Sequence, residues 1–219
     1  MKSVIICDDH PIVREGLKLL IQGFGKYKVL ADVESGEALM KRLKRGTADI
    51  VILDVSLPGS SGLEVLKSLK ALYGHVKVLI LSMYPEDQFA LRMIKAGASG
   101  YLHKDSSPEI LQEALDKIAA GEEYLSNSLA KILLGAVNGK STDQPSHELL
   151  SDREFEVFLY IGEGLSLSNI GIKLNLSVKT ISTYKSRIYE KMNMENTSEI
   201  VRYIMVKNLG VQTNLRQTT

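Results

Sequence analysis

Short apolar runs alternate with amphipathic stretches through the first half of the chain. The runs, rich in Val and Ile, occupy residues 3–7, 28–33, 50–53, 78–81 and 100–103. Strand-length runs separated by helical stretches predict a parallel sheet with helices on both faces. A stretch at 107–120 continues the helical pattern, Gly121, Glu122 and Glu123 interrupt it, and 127–137 predicts one more helix. Residues 138–147 hold Gly139, Lys140, Ser141, Thr142, Asp143, Gln144, Pro145 and Ser146, with almost nothing to bury, and read as a mobile linker.

Beyond the linker the strands disappear. Ser151 and Glu154 form a capping box ahead of a helix with Phe155, Phe158, Leu159 and Ile161 as its apolar positions. A short helix at 168–174 follows, Asn175 and Leu176 make a tight turn, and Ser177 caps a longer helix that reaches Met192. Short helix, turn and longer helix make a helix-turn-helix. A last helix at 197–208 carries Ile200, Val201, Ile204 and Met205, which suit a dimer interface as well as core.

Composition narrows the picture. With 219 residues, 44% hydrophobic and 24% charged, the chain fits one to two globular domains, and the pattern favours two. The expected division is a first domain at 1–121, a linker with a helix at 122–147, a helical domain at 148–210 and a polar tail at 211–219. No apolar run approaches the roughly 20 residues that span a bilayer, and the chain enters its first strand at Ser3, so a cytoplasmic location is expected. Cys7 is the single cysteine and reads as small apolar packing within a strand.

Asp8, Asp9, Asp54, Ser82 and Lys104 stand at or just beyond the carboxyl ends of four of the five runs. Ligands of open parallel sheets bind at that edge, where strand order reverses. Three carboxylates brought together repel one another, so they either raise a pKa or hold a hard cation, and a cation is the better reading. Mg²⁺ suits them, since it takes oxygen ligands from one or two carboxylates and keeps room for a phosphate oxygen. Asp54 is placed as a nucleophile that accepts a phosphoryl group, Lys104 as its charge partner, and Ser82 as a hydroxyl that hydrogen-bonds the transferred group.

With Pro58, Gly59 and Gly62 after Asp54, and with the segment from Gly97 to Lys104, this set resembles the receiver domain of bacterial two-component response regulators over the first 120 or so residues. The resemblance implies a flavodoxin-like, doubly wound α/β fold with five parallel strands. It also implies that Asp54 is the phosphoacceptor, Asp9 binds Mg²⁺ directly, Asp8 acts largely through water, and Ser56 offers its backbone carbonyl to the metal. Ser82 and Tyr101 would form the switch pair.

Net charge is +1 and suggests no nucleic acid, but local charge does. Between 173 and 191, Lys173, Lys179, Lys185, Arg187 and Lys191 face one acid, Glu190. On the helix capped by Ser177, Ile181, Ile188 and Met192 share one face, while Lys179, Ser182, Thr183 and Ser186, with Thr180 and Arg187 at the borders, form the other. Hydroxyls of that kind contact base edges, and the cations, Lys185 among them, neutralise phosphates. Residues 148–210 resemble the LuxR-type four-helix DNA-binding domain of NarL/FixJ-type regulators through Leu150, Ser151, Arg153, Glu154, Gly164, Leu165, Ile170, Leu174, Ser177, Lys179, Thr180, Ile181, Lys191 and Met192. Gly171 stands where alanine is usual, a departure that costs a helix interior roughly 0.5 to 1 kcal/mol.

These readings imply a phosphorylation-dependent, DNA-binding transcriptional regulator. Its partners would be a sensor histidine kinase and double-stranded promoter DNA, and it would bind as a homodimer, because paired half-sites multiply affinity. Catalysis would be confined to its own phosphoryl group. Two other readings compete. A metal-dependent phosphotransfer enzyme would use Asp8 and Asp9 on a small substrate, but the sequence offers no substrate-specificity domain. An interaction protein that uses the receiver fold without phosphorylation would not need Asp8, Asp9, Asp54, Ser82 and Lys104 all intact.

Overall fold

The computed structural model describes residues 1–59, 61–84, 86–131, 146–207 and 209. The chain divides into two compact units, Met1–Thr142 and Asp143–Thr219.

The first unit alternates strand and helix: β1 (Lys2–Cys7), α1 (Pro11–Gly23), β2 (Tyr27–Val33), α2 (Gly36–Leu43), β3 (Ile50–Asp54), α3 (Gly62–Leu72), β4 (Lys77–Ser82), α4 (Glu86–Lys95), β5 (Gly100–His103) and α5 (Pro108–Ala119). The five predicted strands are all present, with ends within a residue of expectation. All pair in parallel in the order β2-β1-β3-β4-β5. Strand order reverses between β1 and β3, and Asp8, Asp9 and Asp54 follow or end those two strands. Every residue of β3 is buried, which is why its run is apolar throughout. One face of the sheet, with Val4, Ile6, Ile50, Ile52, Leu79 and Leu81, packs on Leu17 and Ile21 of α1 and Leu111, Leu115 and Ile118 of α5.

Local chemistry sets the helix starts. Pro11 opens α1 and Pro108 opens α5, where a missing N–H costs nothing. Ser61 and Glu64 form a reciprocal capping box on α3. Gly62 is required there, because a Cβ would lie 2.5 Å from the Asp54 carbonyl oxygen and 2.6 Å from Val55 Cα. The first turn of α3 thus rests directly on the strand end that carries Asp54.

After α5 the chain runs back along β5. Tyr124 bridges to Gly100, and its N–H donates to the Ser99 carbonyl at 2.8 Å. Residues 127–131 are helical; the rest of the helix predicted to 137, and the linker at 138–145, lie outside the described residues.

The second unit holds a 3₁₀ turn (Ser146–Leu149), then α6 (Asp152–Gly162), α7 (Leu167–Leu174), α8 (Val178–Met192) and α9 (Thr197–Val206). His147 corrects the expectation of a mobile linker up to that residue. Its ring stacks 5.8 Å from Phe155, and its Nδ1 lies 2.9 Å from the Tyr203 hydroxyl. Polar neighbours in sequence concealed an aromatic that belongs to this core. Helix α6 packs against α7, α8 and α9 and is buried from Arg153 to Ile161, charged residues included. Those charges are paired: Arg153 with Glu156, and Glu154 with Lys191, each at 2.7 Å.

Candidate functional site

The carboxyl edge of the sheet gathers the predicted acids and the lysine. Asp8 and Asp54 are each 2% exposed, so their charges cannot be left to solvent. Lys104 Nζ lies 2.7 Å from Asp8 Oδ2 and 2.8 Å from Asp54 Oδ2, bridging two carboxylates on neighbouring strands. Its backbone is pinned as the Lys104 N–H donates to the Ser82 carbonyl at 2.8 Å. The second Asp54 oxygen, Oδ1, accepts from the Ser56 N–H at 3.2 Å. Asp8 Oδ1 accepts from the His10 N–H at 2.9 Å.

Burial sets the electrostatics. It pushes the Asp54 carboxyl above the usual carboxylate range; Lys104 opposes the rise and Asp8 adds to it. Burial alone would lower Lys104, but Asp54 and Asp8 outweigh it and hold the ammonium above its ordinary value. Cys7, fully buried beside these acids, has its thiol pushed up first by burial and then by Asp54 and Asp8, which suits packing and not redox chemistry.

The site is hungry for positive charge. Asp8, Asp9, His10 and Asp54 each offer a ligand atom, all within 4.8 Å of one another. Asp8 Oδ2 and Asp9 Oδ1 are buried without a hydrogen bond. Lys104 reaches Asp8 Oδ2 at ion-pair distance but outside hydrogen-bond geometry. A mainly oxygen donor set, with two buried carboxylate oxygens that make no hydrogen bond, fits a hard divalent cation such as Mg²⁺. His10 was not anticipated. Its Nδ1 stands 2.7 Å from Asp9 Oδ1 and 3.2 Å from Asp8 Oδ1. Its place directly after two acids was the available signal, masked by its second role as the residue ahead of α1.

Ser82 and Tyr101 meet on one loop. Ser82 Oγ accepts from the Tyr84 N–H at 3.0 Å, and the buried Tyr101 hydroxyl donates to the Tyr84 carbonyl at 2.7 Å. His103 Nε2 lies 2.8 Å from the Met83 carbonyl, a third contact on residues 82–84. The loop after β4 is thereby held through its backbone by side chains of β4 and β5.

In the second unit, α7, a turn and α8 take the predicted helix-turn-helix form. Asn175 adopts the left-handed conformation at φ 54°, and the Leu176 N–H donates to the Gly171 carbonyl at 2.8 Å. A Cβ at Gly171 would lie 2.8 Å from the Leu176 carbonyl oxygen, so an alanine here would force the turn to shift. Ser177 caps α8 by accepting from the Thr180 N–H at 3.1 Å, and its hydroxyl lies 2.8 Å from Thr180 Oγ1. Ile181, Ile188 and Met192 are buried, while Lys179, Ser182, Thr183, Ser186 and Arg187 are exposed and Thr180 and Lys185 half-buried. Thr183 and Ser186 donate their hydroxyl hydrogens back to the carbonyls of Lys179 and Ser182 at 3.0 and 3.1 Å. Their lone pairs are therefore what they offer outward. Among the described residues no carboxylate pairs with Lys179, Lys185 or Arg187; Lys185 Nζ sits 5.3 Å over the Tyr189 ring.

An acid pocket at the switch point of a five-stranded parallel sheet, followed by a capped helix-turn-helix with a cationic face, defines a two-domain regulator. The chain belongs to the bacterial response regulators: residues 4–116 match the model for the response regulator receiver domain, and residues 148–204 that for the bacterial regulatory proteins of the luxR family. It is 30% identical over 201 residues to response regulator UvrY of Escherichia coli K12, covering 91% of this chain and 92% of that one. It is similar to the structure of RcsB from Salmonella enterica serovar Typhimurium bound to a promoter in the presence of the phosphomimetic BeF3−, with a TM-score of 0.66, 27% identity and coverage of 94% and 98%. A structure of two RcsB dimers bound to two parallel DNAs matches with a TM-score of 0.58, 26% identity and coverage of 93% and 98%. No helix among the described residues is long and apolar enough to cross a membrane.

Proposed function

We propose that this regulator accepts a phosphoryl group on Asp54 from a histidine kinase and, so modified, binds promoter DNA as a dimer through α8. The observation that carries the reading is the Lys104 bridge between Asp8 and Asp54 at the edge where strand order reverses. An Asp54 oxygen forms the new P–O bond as the P–N bond to the donor histidine breaks, and the kinase imidazole leaves. Asp8, Asp9, Asp54 and the Ser56 carbonyl would hold Mg²⁺, which when bound supplies charge neutralisation at the phosphoryl oxygens. Lys104 neutralises the same oxygens from the protein side. The Ser82 hydroxyl, an acceptor toward Tyr84, keeps its hydrogen to donate to the attached group. Tyr101 completes the switch through the Tyr84 carbonyl. The RcsB complexes with promoter DNA, beryllofluoride and paired dimers support the same assignment here.

In DNA recognition, Lys179, Lys185 and Arg187 neutralise phosphates, while Ser182, Thr183 and Ser186 face the bases and Thr180 secures the start of the helix. Catalysis extends only to the protein's own phosphoryl group, and the working location is the cytoplasm. The functional boundaries proposed are 1–121 for the receiver, 122–147 for the linker, and 148–210 for DNA binding.

Selection of bound fragments from random DNA tests the whole reading. With acetyl phosphate and Mg²⁺ the wild-type protein is expected to enrich a motif with paired half-sites, and Asp54→Asn to show no gain from the donor. A donor-dependent gain that survives in Asp54→Asn overturns the assignment of the acceptor.

A further inference from the structure

The switch loop does not end at Tyr84. The next described residue, Glu86, opens α4, and its carboxylate accepts from the hydroxyls of both Ser126 and Ser128, far along the chain. Ser126 also caps the helical segment that begins at 127: its Oγ accepts from the Leu129 N–H at 3.1 Å, and its carbonyl accepts from the Ala130 N–H at 2.9 Å. Leu129 is fully buried. This segment is where the chain leaves the receiver on its way to the second unit. Upstream it has a separate anchor in the Tyr124 bridge to Gly100, which lies on β5 and not on α4. One end is thus tied to the sheet, and the other to the first residue of the helix that follows the switch loop.

We infer that Glu86, Ser126 and Ser128 form a clasp that phosphorylation of Asp54 opens, freeing residues 126–131 while Tyr124 stays in place. The inference rests on the proposal that Asp54 is the acceptor. Its physical basis is a short chain of contacts. Ser82 Oγ holds the Tyr84 N–H, Tyr101 holds the Tyr84 carbonyl, and two residues on Glu86 holds the two serines. In the same structure Lys104 Nζ lies 2.8 Å from Asp54 Oδ2. A phosphoryl group on that carboxylate draws Lys104 and Ser82 to its own oxygens, pulls the Ser82–Tyr84 turn toward the site, and moves the start of α4 with it. A carboxylate that must satisfy two hydroxyls at once tolerates little displacement, because hydrogen bonds weaken steeply with distance and angle. Coupling is reciprocal: if phosphorylation opens the clasp, breaking the clasp strengthens binding of a phosphoryl mimic by the same factor.

Amide hydrogen exchange of the full chain, read by mass spectrometry with and without beryllofluoride and Mg²⁺, tests this. In the wild type, beryllofluoride is expected to speed exchange across 126–131 by roughly 5-fold or more, the lower range of allosteric coupling, while the sheet strands exchange no faster. Glu86→Ala, which removes the acceptor, and, separately, Ser128→Ala, which spares the Ser126 cap, should exchange fast at 126–131 without beryllofluoride and bind it more tightly by a similar factor. Unchanged exchange at 126–131 in wild type with beryllofluoride bound overturns the clasp while leaving the Asp54 assignment intact. So does a pair of variants with wild-type exchange and wild-type affinity. Beryllofluoride binding that is absent in wild type, or persists in Asp54→Asn, sinks the acceptor assignment and the clasp together.

Discussion

At the residue scale, the proposed site draws on groups whose burial runs against their charge. Asp54 holds its proton more tightly in the folded protein than in the unfolded chain, because burial raises its pKa. A carboxyl raised in this way contributes stability below the unfolded carboxylate value and loses it as pH rises through the folded value. Asp54→Asn cannot ionise, and Lys104 keeps Asp8 at 2.7 Å. The variant is therefore expected to melt higher than wild type at pH 7.5 in metal-free buffer. Circular dichroism melts at pH 7.5 and in the acid range check it; the gap should narrow as the pH falls, and a wild type that melts higher at pH 7.5 refutes the argument. The edge placement of five residues of the proposed site was legible in the sequence because a strand's end is legible, and the side chain at or just beyond it must lie at the sheet's edge. His10 was not, since only the folded turn shows its ring meeting both acids. Nor was the back-bonding of Thr183 and Ser186, which depends on rotamers that spacing does not set.

At the element scale, strands and caps follow from local pattern, while close approach between elements does not. Gly171 illustrates the difference. Within α7 an alanine would gain about 1 kcal/mol of helix propensity, yet its Cβ would meet the Leu176 carbonyl oxygen at 2.8 Å. Overpacking of this kind costs typically 1–3 kcal/mol, so Gly171→Ala is expected to destabilise the helix-turn-helix domain by roughly 1 kcal/mol net. Gly16, inside α1 with nothing near its Cβ position, provides the contrast. Gly16→Ala should stabilise the receiver by roughly 0.5–1 kcal/mol. Urea unfolding of both variants separates the cases, and a stabilising Gly171→Ala would mean the turn has room. Helix α6 shows the same limit from another side. Its apolar positions were readable, but burial of Arg153, Glu154 and Glu156 required the packing of α7, α8 and α9 around it.

At the scale of the whole molecule, the chain holds two compact units. The acid pocket belongs wholly to the first, so a cation bound there stabilises that unit alone. Calorimetry of the full chain is expected to show Mg²⁺ raising one of two transitions, by about 2.7 kcal/mol of stability at a hundred times the dissociation constant, with the other unmoved. Equal shifts in both would place the cation elsewhere or join the units into one cooperative fold. The amino-acid pattern by itself determined the strands, the order of elements, the capped helix-turn-helix and the strand-end placement of Asp8, Asp9, Asp54, Ser82 and Lys104. Backbone conformation follows from sterics and periodicity over a few neighbouring residues, and these are written along the chain. Only the tertiary structure decided that Lys104 bridges Asp8 to Asp54, that His147 joins an aromatic core, and that Glu86 clasps Ser126 and Ser128. Those contacts join residues that are distant in the chain, and the packing of whole helices against a twisted sheet, not any local preference, sets them side by side.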